Sequence, residues 1–145
     1  MNKASINEIQ DEIIEEFSLF EGDQHAKLEY IFDLSKQLPD LPEEHKKEEN
    51  LIKGCQSKVW LISEREGDIL FYKADSNTAI TKGLISLLIR VLSGQKMEDI
   101  ARADLYFIPE IGMSQFIGSQ RSNGFANMVS KMKLDAAVAY KELQN

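Results

Sequence analysis

A short hairpin constrains this chain more than any other feature of its sequence. Lys58 to Ser63 (Lys-Val-Trp-Leu-Ile-Ser) and Ile69 to Ala74 are dense in β-forming residues, and the intervening Glu64 to Asp68, with Gly67, reads as a turn. Successive side chains of a strand point to opposite faces, and both runs carry apolar residues on both faces. Helices are therefore expected over at least one side of the ribbon.

The flanking segments supply them. Ser5 and Glu8 have capping-box spacing, and Ile6, Ile9, Ile13, Ile14 and Phe17 recur at helical period, which predicts a first amphipathic helix over about 6–17. Gly22 breaks it, and Asp23 can cap a second helix whose Ala26, Tyr30, Ile31, Leu34 and Leu38 share a face until Pro39 and Pro42. The charged run Glu43 to Glu49 reads as a solvated turn or short helix, leading through Leu51 and Ile52 to a loop, Gly54-Cys55-Gln56-Ser57. Asp75, Ser76 and Asn77 are three consecutive N-cap candidates for an apolar helix that carries Ile80, Leu84, Leu87, Leu88 and Val91 and ends at Ser93-Gly94. Met97 to Ala101 reads as a short helix, Leu105 to Ile108 could supply a third strand, and Ser114 to Ile117 a further helical turn. Phe125, Met128, Val129, Met132, Ala136, Ala139 and Leu143 hold one stripe of a last helix over about 121–143, with the two methionines as core filling. Helices before and after a small antiparallel sheet of two to three strands give an α+β class, in a single domain over 1–145.

At 145 residues the chain can bury roughly 70% of its unfolded surface, so it needs no disulfide or metal staple. Its 24 Asp and Glu outnumber 17 Lys and Arg, for a net charge of −7, which argues against nucleic acid as a partner because phosphate contacts need clustered cations. Met1-Asn2-Lys3-Ala4-Ser5 runs into polar helical sequence without an apolar leader, and no stretch reaches the ~18 apolar residues that span a bilayer. The one cysteine, Cys55, cannot form an internal disulfide and suits a reducing compartment. The expectation is a soluble cytoplasmic protein with no membrane partner.

Counting also limits the chemistry. One Cys and two distant His, His25 and His45, cannot make a zinc or iron–sulfur site of three or four such ligands, and neither phosphate-cradling glycine motif is present. Both histidines read as solvent-facing or capping residues; a Cys–His hydrolase would need one of them beside Cys55. Cys55 itself follows Gly54 and precedes polar Gln56 and Ser57, so its thiol is expected to project from a loop, either as a reactive group or as an incidental cysteine. Lys53 and Lys58 flank it and could favour the thiolate. Arg121, in Gly118-Ser119-Gln120-Arg121-Ser122-Asn123-Gly124, opposes the macrodipole at the mouth of the last helix, and is either a surface arginine or a group that meets an anion. Asp75 reads as a helix cap or as a site residue.

Five separated segments then fall into a familiar order. They are Leu38-Pro39, Gly54-Cys55-Gln56-Ser57-Lys58-Val59-Trp60, Ala74-Asp75-Ser76, Thr81-Lys82-Gly83-Leu84 and Ser119-Gln120-Arg121-Ser122-Asn123-Gly124. This set resembles the SufE/CsdE-type sulfur acceptors that work with cysteine desulfurases, over nearly the whole chain from Asp23 to the last helix. The second segment looks like the family's Gly-Cys-x-Ser-x-Val-Trp signature.

The resemblance implies a SufE/IscU-like fold and a sulfur-transfer role. Cys55 would accept a sulfane sulfur as a persulfide from a pyridoxal-phosphate-dependent cysteine desulfurase of the SufS/CsdA type, stimulate that enzyme, and pass the sulfur to an iron–sulfur scaffold complex. An adaptor that stimulates the desulfurase without carrying sulfur is the alternative. The chain would bind no cofactor itself, since the pyridoxal phosphate resides on the partner. Arg121 matches the family's arginine at the partner-facing surface, with Gln56, Lys53 and Asp75 as further supporting residues, and Asn77 stands where the family often has an acid. A movable loop that tucks Cys55 against the apolar surface near Trp60 would shelter a carried persulfide.

Overall fold

A computed structural model describes residues 3–145. In chain order the elements are α1 (Ile6–Ser18), α2 (Gln24–Ser35), two single 3₁₀ turns at Glu43–His45 and Glu48–Asn50, β1 (Val59–Glu66), β2 (Ile69–Ser76), α3 (Ala79–Leu92), β3 (Gln95–Lys96), α4 (Met97–Arg102), α5 (Phe107–Glu110), α6 (Met113–Ile117) and α7 (Ser119–Gln144). Helices on one side of an antiparallel sheet give the α+β class expected from the sequence.

The hairpin is longer than its apolar residues predict. β1 and β2 pair antiparallel from Val59 opposite Ser76 to Glu66 opposite Ile69. Glu64 to Glu66, expected in the turn, belong to β1, because the reversal needs only Gly67 and Asp68. Gly67 takes φ +61°, which a glycine adopts without a Cβ clash. β1 is the outer strand of the β1-β2-β3 sheet, so its charged end stays in solvent and guards the edge.

The third strand is not where the sequence suggested. Gln95 and Lys96 pair with Leu70 and Ile69, whereas Leu105 to Ile108 leads into helix α5. α2 also stops short of Leu38. Lys36 and Gln37 bond back three residues to Asp33 and Leu34, and Pro39 disfavours a helical conformation at the residue before it. The Ser5–Glu8 capping box is present on α1.

Val59, Leu61, Leu70, Tyr72 and Ala74 form the inner face of the sheet and are buried, with α3 packed on β2. The opposite face, with Trp60, Ile62, Ile69 and Phe71, is only partly covered. Tyr72 donates its hydroxyl to the Met132 carbonyl at 2.6 Å, which fixes α7 across the sheet. Met128 and Met132 are buried core, as their spacing predicts. Gly83 brings α3 onto α2: a Cβ there would overlap the Ile31 carbonyl oxygen. These contacts set the beginning of α3 beside the beginning of α7, and the cysteine loop lies across both.

Candidate functional site

The loop is closed at its base and tied down along its length. Ile52 donates its N–H to the Val59 carbonyl at 2.8 Å, and Leu51 bridges Trp60, leaving 53–58 as the excursion. Gly54 has φ +86°, and a Cβ on it would overlap Asn127 Nδ2 of α7. Glycine therefore answers both the backbone conformation and the close approach. At the far end Lys58 and Asn77 clamp each other: the Lys58 N–H donates to Asn77 Oδ1 at 3.0 Å, and the Asn77 N–H donates to the Lys58 carbonyl at 3.2 Å. An aspartate at 77, the kind of residue the resemblance leads one to expect there, would offer the same acceptor.

Ser57 completes the attachment. Its Oγ lies 2.9 Å from Thr78 Oγ1 and 3.2 Å from Thr81 Oγ1. Thr78 is the N-cap of α3, yet it makes no side-chain cap bond, because its hydroxyl faces Ser57 instead. Nothing in the local sequence announces this hydroxyl cluster, since Ser57 and Thr78 meet across the whole hairpin.

Cys55 is half-buried and turned inward rather than projecting. Its Sγ lies 3.5 Å from the Gly124 carbonyl oxygen of α7, a thiol-to-carbonyl contact that favours the protonated form. Burial likewise pushes the Cys55 thiol up from its ordinary value. The shelter is the start of α7 and not the surface near Trp60, which has the Lys46 ammonium over its ring at 5.6 Å. Lys53 is exposed and does not line the space around the sulfur, so the flanking-lysine support expected for a thiolate is not built in this arrangement.

A cavity of about 390 Å³ opens beside the sulfur. Val59, Leu84, Ile85, Phe125 and Met128 make its apolar wall, while Gln56, Ser57, Thr78, Thr81, Gln120 and Arg121 bring polar groups to it. The fold thus assembles Cys55, Gln56 and Arg121 around one space from segments sixty residues and more apart in sequence. Arg121 donates Nη1 to the Ile117 carbonyl at 3.3 Å and is otherwise exposed. Neither His25, paired with Glu29 at 2.9 Å, nor His45, 3.8 Å from Glu44, lines the cavity, so no histidine base stands ready for a hydrolase.

Asp75 is placed otherwise than a helix cap. It is the penultimate residue of β2 with its carboxylate buried, accepting the Leu41 N–H at 2.9 Å and the Ser76 N–H at 2.8 Å, with Lys82 Nζ at 3.3 Å and Lys46 Nζ at 3.6 Å. Burial alone would raise its carboxyl, but the Leu41 and Ser76 amides and the Lys82 ammonium outweigh that and hold it below the usual carboxylate range. It anchors the 36–58 connector to the sheet and does not line the cavity.

A protein of this kind is an α+β domain whose one thiol is held in a loop at a cavity wall. Residues 11–136 match the family model described as "SufE: Fe-S metabolism associated domain". An uncharacterized SufE-like protein of Rhizobium etli is 36% identical over 133 residues, covering 88% of this chain and 89% of that one. A protein of Plasmodium vivax named cysteine desulfuration protein SufE is 35% identical over 121 residues, covering 81% of this chain and 48% of its own length. A solution structure of a hypothetical protein from Thermus thermophilus shares the fold, with a TM-score of 0.74 at 16% identity over 92% of this chain and 96% of that one. The chain belongs to the SufE family.

Proposed function

We propose that this protein is a sulfur acceptor and carrier. Cys55 takes a sulfane sulfur from the persulfide of a pyridoxal-phosphate-dependent cysteine desulfurase, stimulates that enzyme by relieving it of sulfur, and delivers the sulfur to iron–sulfur assembly. Support comes from membership of the SufE family and from relatives named for cysteine desulfuration. The observation that carries the reading is the placement of the chain's one thiol, Cys55, in a tied loop at the wall of a cavity that Arg121 also lines.

The step is transpersulfidation. Cys55 loses its proton to solvent, and its thiolate attacks the outer sulfur of the partner's Cys–S–SH. The partner's sulfur–sulfur bond breaks, that cysteine leaves as a thiolate and is reprotonated, and Cys55 becomes Cys–S–SH. No net oxidation occurs. The resting thiol, protonated and bonded to Gly124, is a poor nucleophile, so the loop has to lift from α7 when the partner docks. Arg121 offers its guanidinium to the partner's departing thiolate or to a partner carboxylate. A chain with one cysteine cannot resolve its own persulfide into an internal disulfide, which suits a carrier.

The test is desulfurase turnover with wild-type protein and with Cys55→Ser. A carrier loses stimulation with the thiol; retained stimulation by Cys55→Ser would establish the non-carrying adaptor instead.

A further inference from the structure

The cavity beside Cys55 is far larger than its sulfur chemistry needs. A single added sulfur atom occupies a volume of the order of one water molecule, roughly 30 Å³, whereas the space is about 390 Å³. That is room for about a dozen heavy atoms, and falls in the range of small-molecule sites. Its wall is apolar on one side, through Val59, Leu84, Ile85, Phe125 and Met128.

Charge selects the occupant. The chain has 24 Asp and Glu, yet among the described residues none lines this cavity, and the one charged group that does is Arg121. Among the described residues the other three arginines each meet a carboxylate: Arg65 with Glu142, Arg90 with Glu12 and Glu16, and Arg102 with Glu98. Arg121 has only the Ile117 carbonyl, at 3.3 Å, which leaves most of its five N–H donors without a protein acceptor. We infer that the cavity binds a small amphiphilic carboxylate of about a dozen heavy atoms, its aliphatic body against Leu84, Phe125 and Met128 and its head on the Arg121 guanidinium. An occupant of this kind lies against Cys55 Sγ and holds the loop closed over it. This binding requires no desulfurase and no persulfide, so it stands or falls separately from the carrier reading.

The experiment is a titration of the full-length reduced protein with decanoate below its micellar range, followed by amide NMR. Decanol carries the tail without the charge, and acetate the head without the tail. Saturable shifts confined to Cys55, Gly124, Phe125 and Met128 are expected with decanoate, and none with acetate. Arg121→Gln, an exposed substitution that leaves the core intact, should weaken decanoate about tenfold, the size of a lost charge-assisted pair, and leave decanol unaffected. Decanoate should also slow alkylation of Cys55 by iodoacetamide. Shifts that fail to saturate, that spread over the surface, or that are the same in Arg121→Gln would overturn the inference, as would undiminished alkylation of Cys55 at saturating decanoate.

Discussion

Cys55 Sγ and the Gly124 carbonyl oxygen lie 3.5 Å apart, and a Cβ built on Gly124 would stand 3.4 Å from that sulfur. The thiol is thus seated in a place on α7 that the missing side chain leaves open. Gly124→Ala adds only an ordinary van der Waals contact, so Cys55 should stay sheltered and the helix should gain up to about 1 kcal/mol from the better helix former. Gly124→Leu fills the thiol's place and should drive the loop outward. Iodoacetamide alkylation of Cys55 should be severalfold faster in Gly124→Leu than in wild type, and unchanged in Gly124→Ala.

The pH profile of that alkylation has a definite sign. Burial raises the Cys55 thiol, so the midpoint of the rate should lie above the ordinary free-thiol value of about 8.5 in native protein. Linked to stability, a raised thiol favours the folded state fully below the unfolded value, and that contribution is lost as pH rises through the folded one. Gly124→Leu should bring the midpoint back toward the free-thiol value. An equal midpoint in both proteins would contradict the sheltered resting state.

Asn77 tests the clamp at the other end of the loop. Asn77→Ala removes the acceptor for the Lys58 N–H and should speed alkylation of Cys55, whereas Asn77→Asp keeps the acceptor and should resemble wild type. Hydrogen exchange of the Lys58 amide reads the same distinction directly.

Asp75 predicts an acid effect on the whole fold. Its carboxyl is held low, so its contribution is complete above the unfolded value of about 3.9 and is lost as pH falls through the lower folded one. Asp75→Ala strands the Leu41 amide and leaves Lys82 without its buried partner, at a cost of about 1–3 kcal/mol near neutral pH in urea denaturation. The difference between the two proteins should shrink below about pH 4 as the wild-type carboxyl is protonated.

Gly83 sets the scaffold beneath the site. Because a Cβ at 83 would meet backbone at Ile31, not a side chain that can turn aside, Gly83→Ala should cost about 1–3 kcal/mol in thermal or urea unfolding. It should leave the alkylation profile of the surviving folded protein unchanged.

What the sequence disclosed was mostly local. The α1 capping box, the apolar stripes of α3 and α7, and the glycine before Cys55 all depend on residues within a turn or two of one another, and each is present. The misreadings came from partners distant in the chain. Asp75 looks like a cap because its neighbours Ser76 and Asn77 do, but its acceptor role is decided by Leu41, 34 positions away. Lys53 looks like a thiolate partner because it lies two positions away in sequence, yet the loop turns the thiol toward Gly124, 69 positions away. Glu64 to Glu66 look like turn residues because they are charged, and an outer strand tolerates that charge. Arg121 stands out in the sequence for its unfavourable place at a helix start and for its match to the family's arginine, but the cavity it lines exists only once α3 and α7 are packed.

The central claim is that Cys55 itself carries sulfur. Reduced protein is incubated with a cysteine desulfurase and cysteine, digested without reductant, and the peptide containing Cys55 is weighed by mass spectrometry. The carrier account expects that peptide to gain the mass of one sulfur atom, with no gain in Cys55→Ser. An unmodified Cys55 peptide while the desulfurase is turning over cysteine would contradict it.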